Sequence, residues 1–110
     1  MKIYISGPIT GYDLGERRQT FDKARKEIEK RVERWNKLSH SHTEVAIFSP
    51  PHAYKEGMTY EEIMRYDIEQ LLKCDLIVFL NGWQDSRGCK AEREVAKVCG
   101  IKILFDNWQP

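Results

Sequence analysis

Apolar positions along the chain follow two rhythms, one short and nearly continuous, the other spaced by three and four. Lys2–Ser6 (KIYIS) is rich in β-branched and aromatic residues and ends at Gly7-Pro8, which predicts a strand. Gly15–Leu38 carries Phe21, Ala24, Ile28, Val32, Trp35 and Leu38 between densely charged positions, which predicts a long amphipathic helix. A polar loop, Ser39–Thr43, leads to a second strand at Glu44–Phe48, stopped by Ser49-Pro50-Pro51. Thr59 and Glu62 have capping-box spacing and open a helix running to about Lys73, with Ile63, Met64, Asp67, Ile68, Leu71 and Leu72 facing inward. Asp75–Leu80 (DLIVFL) predicts a buried strand, Asn81–Ser86 a loop, and Arg87–Gly100 a helix closed by its glycine. Ile101–Phe105 (IKILF) is a last strand, expected like DLIVFL to be covered on both faces, and Asp106–Pro110 an irregular tail.

Strands alternating with helices imply an α/β fold with a central parallel sheet of four to five strands and right-handed crossovers. Helices on both faces make it a three-layer sandwich. In such sheets ligands bind beyond the carboxyl ends of the strands, where the strand order reverses. The segments at those ends are Ser6–Gly11, Ser49–His52 and Asn81–Gly88. At 110 residues the chain is expected to form a single domain, 1–110, and it carries no repeat or linker.

Charge removes several functions. The 18 Lys+Arg against 17 Asp+Glu give no electrostatic case for binding duplex nucleic acid or an anionic membrane. No apolar run approaches the roughly 20 residues that span a bilayer, and the N-terminus has no signal-peptide pattern. Cys74, Cys89 and Cys99 lack a CxxC and read as buried hydrophobes in a reducing, cytoplasmic setting. His40, His42 and His52 lack ligand spacing, so no metal site is expected.

Two carboxylates break the apolar pattern. On the helix Arg87–Gly100, Glu92 shares a face with Cys89, Val95, Ala96 and Cys99. On the preceding helix, Asp67 falls between Ile63/Met64 and Leu71. A carboxylate aimed at a core is costly unless it is paired, hydrogen-bonded or open to a cavity. Each taken alone is more often a structural hydrogen-bond acceptor. Two on helices flanking one strand favour a joint role, one as nucleophile and the other as general acid or electrostatic partner. Ser86-x-Gly88 opens the Glu92 helix and can either cap it or hold an anion on free N–H groups. The segment Ser6-Gly7-Pro8-Ile9-Thr10-Gly11 allows close backbone approach to a ligand, but it is neither a Walker A nor a GxGxxG sequence. Tyr4, Trp83 and His52 are candidates to contact a base, Trp83 foremost because its loop leads to Ser86.

Asp67, then CDLIVFL, then Ser86-x-Gly88-x-x-x-Glu92-x-x-x-Ala96, together with the opening YISGPITG, resembles the nucleoside 2-deoxyribosyltransferase superfamily. That group includes deoxynucleoside 5′-monophosphate N-glycosidases and small, often phage-encoded members of unassigned function. The resemblance spans nearly the whole chain. It implies a flavodoxin/Rossmann-like domain that cleaves the N-glycosidic bond of a deoxynucleoside or nucleoside 5′-monophosphate without a cofactor. Glu92 would be the nucleophile and Asp67 its acid or orienting partner. Tyr4, Ser6, Gly7, Pro8, Ile9, Gly11, Trp83, Ser86 and Gly88 would bind the substrate. It also implies a homo-oligomer, and Trp108 in the tail would suit an interface or cover the sheet. The chain departs from the nucleotide hydrolases at Pro8-Ile9-Thr10, where they often carry arginine, and at Cys89, where a small residue is common.

The competing expectation is a non-catalytic nucleotide-binding or sensing module on the same fold. That reading allows Glu92 to be tied up by a basic partner such as Arg65 or Lys90. A receiver-like domain is disfavoured, because no acidic cluster follows the first strand.

Overall fold

Four strands form one parallel sheet in the order β2-β1-β3-β4: β1 (Lys2–Ser6), β2 (Ala46–Phe48), β3 (Leu76–Phe79) and β4 (Lys102–Phe105). The computed structural model describes residues 1–53 and 56–106; Trp108 lies outside them. Helix α1 (Leu14–Ser39) connects β1 to β2, α2 (Pro50–Ala53) and α3 (Tyr60–Leu71) lie between β2 and β3, and α4 (Arg87–Cys99) joins β3 to β4. This is the α/β, flavodoxin/Rossmann-like architecture expected, with four strands in its sheet among the described residues. The strand order reverses between β1 and β3, so ligand chemistry belongs above their carboxyl ends. Among the described residues no helix is long and apolar enough to cross a membrane.

Alternation along β1 divides the core in two. Ile3 and Ile5 point to one face and pack with Phe21, Ile28 and Val32 of α1 and with Leu76, Val78 and Leu80. Tyr4 points to the other face and joins Leu71, Ile77, Phe79, Cys89 and Ala96 beneath α3 and α4. The helix ends follow local rules. Asp13 accepts the amide of Glu16 at 2.9 Å, Thr59 and Glu62 close the expected capping box, and Gly100 ends α4 in the left-handed region.

Several expectations change for reasons of length and position. Helix α1 has 26 residues, about 39 Å, whereas the five residues of β1 span about 17 Å. Its last turns therefore overrun the sheet, leaving Trp35 at 47% and Leu38 at 76% exposure instead of in the core. Leu72 is likewise exposed, just past the end of α3. Cys99 is exposed in the last turn of α4, and Cys74 is only partly buried, so of the three cysteines Cys89 alone is a core residue. The strand β4 is at the sheet edge and its residues are half-buried or exposed, unlike the fully buried β3. Pro50 and Pro51 do more than stop β2. They open the one-turn helix α2, a start that proline tolerates because the first turn needs no N–H donor there.

Candidate active site

Tyr4 and Ser6 are two residues apart on β1, so both side chains leave the same face of the sheet. Glu92 lies on the inner stripe of α4, which covers that face. Ser6 Oγ donates to Glu92 Oε1 at 2.8 Å, and Tyr4 Oη donates to Glu92 Oε2. The carboxylate is 5% exposed and forms no ion pair among the described residues. Burial pushes its pKa up to about 7; the two hydroxyl donors act downward, and the nearby Asp67 charge adds a further upward push. The Tyr4 phenol is itself raised well above its ordinary value, by burial first and then by Glu92 and Asp67. It therefore stays protonated and keeps donating.

Asp67 is 6% exposed and lines the same cleft as Glu92. Burial alone lifts it to about 7, and among the described residues no hydrogen bond or cation counters that rise. The cleft holds about 350 Å³, within the range of small-molecule sites. Gly7, Ile9, Thr10, Gly11, Tyr12 and Leu14 form one wall, and Pro50 and Pro51 close the end beside β2. Tyr60, Ile63 and Met64 come from α3, and Ser86, Gly88 and Cys89 from the start of α4. All three loop segments expected at the strand ends thus contribute. Gly88 permits the helices to meet, because a Cβ there would sit 3.2 Å from Met64 Sδ and 3.6 Å from Tyr60 Oη. The Cys89 thiol is raised by burial, so it faces the cleft as a neutral group.

Of the residues expected at the site, the structure gathers Glu92, Asp67, Gly7, Ile9, Gly11, Ser86 and Gly88 around one cleft. Ser86 also caps α4, accepting the amide of Cys89 at 3.2 Å. Five candidates stand elsewhere. Tyr4 is wholly buried and stacks on Phe48 at 5.3 Å between ring centroids, so it has no face for a base. Ser6 is buried too, and both residues reach a ligand only through Glu92. Pro8 lines a neighbouring annex rather than the main chamber. Trp83 points away, because Gly82 takes a φ of 89° and leads into a short 3-10 turn over Trp83–Asp85. Its ring packs 5.0 Å from Phe79 and 5.7 Å from Phe105 at the sheet edge. His52 is exposed and engages Ser49 Oγ at 2.8 Å through Nδ1.

Sequence reasoning missed Tyr12 and Tyr60. A signal existed for Tyr60, which precedes Ile63, Met64 and Asp67 at helical spacing and so shares their stripe. Tyr12 carried none beyond its place after the Ser6–Gly11 loop.

Residues 1–105 match the family described as a domain of unknown function, DUF4406. No curated protein sequence matches the chain. Among solved structures, the fold is similar to that of a 2-deoxyribosyltransferase from the psychrotolerant bacterium Bacillus psychrosaccharolyticus. The TM-score is 0.65 at 17% identity, covering 96% of this chain and 71% of that one. The suspected kinship with the nucleoside 2-deoxyribosyltransferase superfamily is thus matched at the level of fold.

Proposed function

The chain belongs to the DUF4406 family, and we propose that its cleft breaks the N-glycosidic bond of a deoxynucleoside or nucleoside 5′-monophosphate with Glu92 as nucleophile. One observation carries this reading. Glu92 is buried at the cleft under two neutral hydroxyl donors, and among the described residues it has no ion-pair partner. A structural carboxylate in a core is normally paired. Here the donors orient the anion and leave its remaining lone pairs free for an incoming carbon.

The two carboxyls divide the labour by their hydrogen bonds. Glu92 accepts two, which favour its ionised form, while Asp67 accepts none that oppose its proton. The ionised form is therefore favoured at Glu92 and the protonated form at Asp67. In the first step a Glu92 oxygen bonds to C1′ as the C1′–N bond breaks. The bonding electrons leave with the base, which takes its proton from Asp67. Positive charge developing at C1′ is stabilised by the adjacent carboxylate. Water or the N–H of a second base then attacks C1′, passes its proton to the ionised Asp67 as the C1′–O bond breaks, and returns Glu92 to its ionised form. Ser86, Gly88 and the Gly7–Gly11 wall hold the sugar and its 5′ substituent. No step requires a cofactor.

The binding-module alternative allowed a basic partner on Glu92. Arg65 and Lys90 are both exposed, and neither engages it. The test is chromatography of free base from a panel of deoxynucleosides and their monophosphates. The parent releases base from at least one member, and Glu92→Ala releases none. No release from any member at high protein concentration would return the module reading, and equal release by Glu92→Ala would remove the nucleophile.

A further inference from the structure

Two tyrosines stand where the cleft opens into an annex above the start of α4. Tyr12 and Tyr60 line both chambers, together with Ser86 and Gly88, so these four form the neck between them. The tyrosines come from opposite layers of the sandwich. Tyr12 precedes α1, which covers the Ile3 and Ile5 face of the sheet, and Tyr60 opens α3, which covers the Tyr4 face. Tyr60 Oη lies 3.6 Å from where a Cβ on Gly88 would stand, which places the hydroxyl at the neck itself.

Each ring is braced from behind by an arginine. Arg17 lies over Tyr12, 5.2 Å from the ring centroid, and over Phe21 at 5.5 Å. Phe21 is wholly buried beneath the cleft wall, where a Cβ on Gly7 would meet its ring at 3.0 Å. Arg87 lies over Tyr60 at 5.4 Å. Arg17 Nε is buried and has no acceptor among the described residues, so its guanidinium is held by the two rings it covers. Its charge also reaches the main chamber: burial raises the Cys89 thiol, and Arg17 is among the groups that pull it back. Charges around the neck balance. Glu61, Asp85 and Arg87 line the annex, and Arg17 stands behind Tyr12. Two carboxylates against two guanidiniums leave the aromatic surface as the part of the neck that grips.

A sugar with C1′ at Glu92 and its 5′ end past Ser86 and Gly88 passes between the tyrosines. Furanose carbons present C–H faces to an aromatic ring and hydroxyls to a phenol, and the neck offers both. We infer that Tyr12 and Tyr60 are sugar-binding residues that clamp the substrate from the two layers, and that Arg17 is a positioning residue holding Tyr12 in the clamp. This rests on the N-glycosidic reading above and assigns part of its grip to side chains outside the Glu92 cluster.

The rings touch the sugar before and during reaction alike, so their loss raises KM and spares kcat. Steady-state kinetics on the deoxynucleoside or monophosphate that the parent cleaves tests this, with free base as the readout. Tyr12→Ala and Tyr60→Ala each raise KM roughly ten-fold and keep kcat within about two-fold. Tyr60→Phe, which keeps the ring, raises KM about three-fold. Arg17→Met raises KM about three-fold in the parent and adds nothing in the Tyr12→Ala background, because its effect passes through that ring. An unchanged KM in both alanine variants overturns the clamp, as does a loss confined to kcat. Additive effects of Arg17→Met and Tyr12→Ala overturn the positioning role of Arg17. In each of these cases base release by the parent leaves the glycosidic reading standing. A parent that releases no base from any member of the panel overturns that reading, and this inference with it.

Discussion

The two faces of β1 are built to opposite ends. Ile3 and Ile5 enter an apolar cluster with Phe21, Ile28 and Val32. Tyr4 and Ser6, from the same five-residue strand, turn to the other face and bind a buried carboxylate. The first face supplies stability through burial. The second holds two carboxyls whose pKa values are pushed up to about 7, a sign that the folded state resists their ionisation. One strand thus anchors the fold with its odd residues and positions chemistry with its even ones. A site that costs stability to maintain is expected where activity requires it.

The contrast can be broken from either side. On the chemical face, Glu92→Ala lowers base release by more than about 1,000-fold, the scale for loss of an activated nucleophile, while the circular-dichroism spectrum is retained. On the apolar face, Ile5→Ala costs about 2–5 kcal/mol in a denaturant titration, since it opens a cavity in a wholly buried cluster. Its kcat/KM per folded molecule changes little. Equal loss of activity in both variants would erase the division between the faces.

Glu92→Gln sharpens the contrast, because it removes a charge and keeps the shape. Burial holds the folded-state pKa above the unfolded value, so folding binds an extra proton between roughly pH 4 and 7. The favourable contribution is complete below that window and is lost as pH rises through 7. The variant is therefore more stable than the parent by about 2–3 kcal/mol at pH 8 and nearly equal to it at pH 4, as read from melting curves. A Glu92→Gln protein less stable than the parent at pH 8 would mark Glu92 as structural.

Tyr4→Phe removes the hydroxyl that favours ionised Glu92 and keeps the ring stacked on Phe48. The carboxyl pKa then rises further, and the acid limb of the kcat/KM profile moves up by about one pH unit. An unmoved limb would show that Tyr4 only fills space.

Much of this arrangement was visible before the fold was known, and its limits are instructive. Element identities followed from periodicity, and Glu92 and Asp67 stood out because they interrupt apolar stripes. The link from Tyr4 and Ser6 to Glu92 did not, because it joins residues 88 and 86 positions apart and exists only once α4 lies over β1. The packing of Trp83 on Phe79 and Phe105 was not legible, because one positive φ at Gly82 precedes its turn. Trp35 and Leu38 follow the correct stripe, yet their burial depends on the sheet being as long as the helix, which no local pattern encodes.

The most direct test of Glu92 as nucleophile is peptide mass mapping after acid quench during turnover of a deoxynucleoside that the protein cleaves. A deoxyribosyl group on the peptide containing Glu92, absent when Glu92→Ala is treated in the same way, is the predicted result. A deoxyribosyl group carried by any other peptide would contradict it.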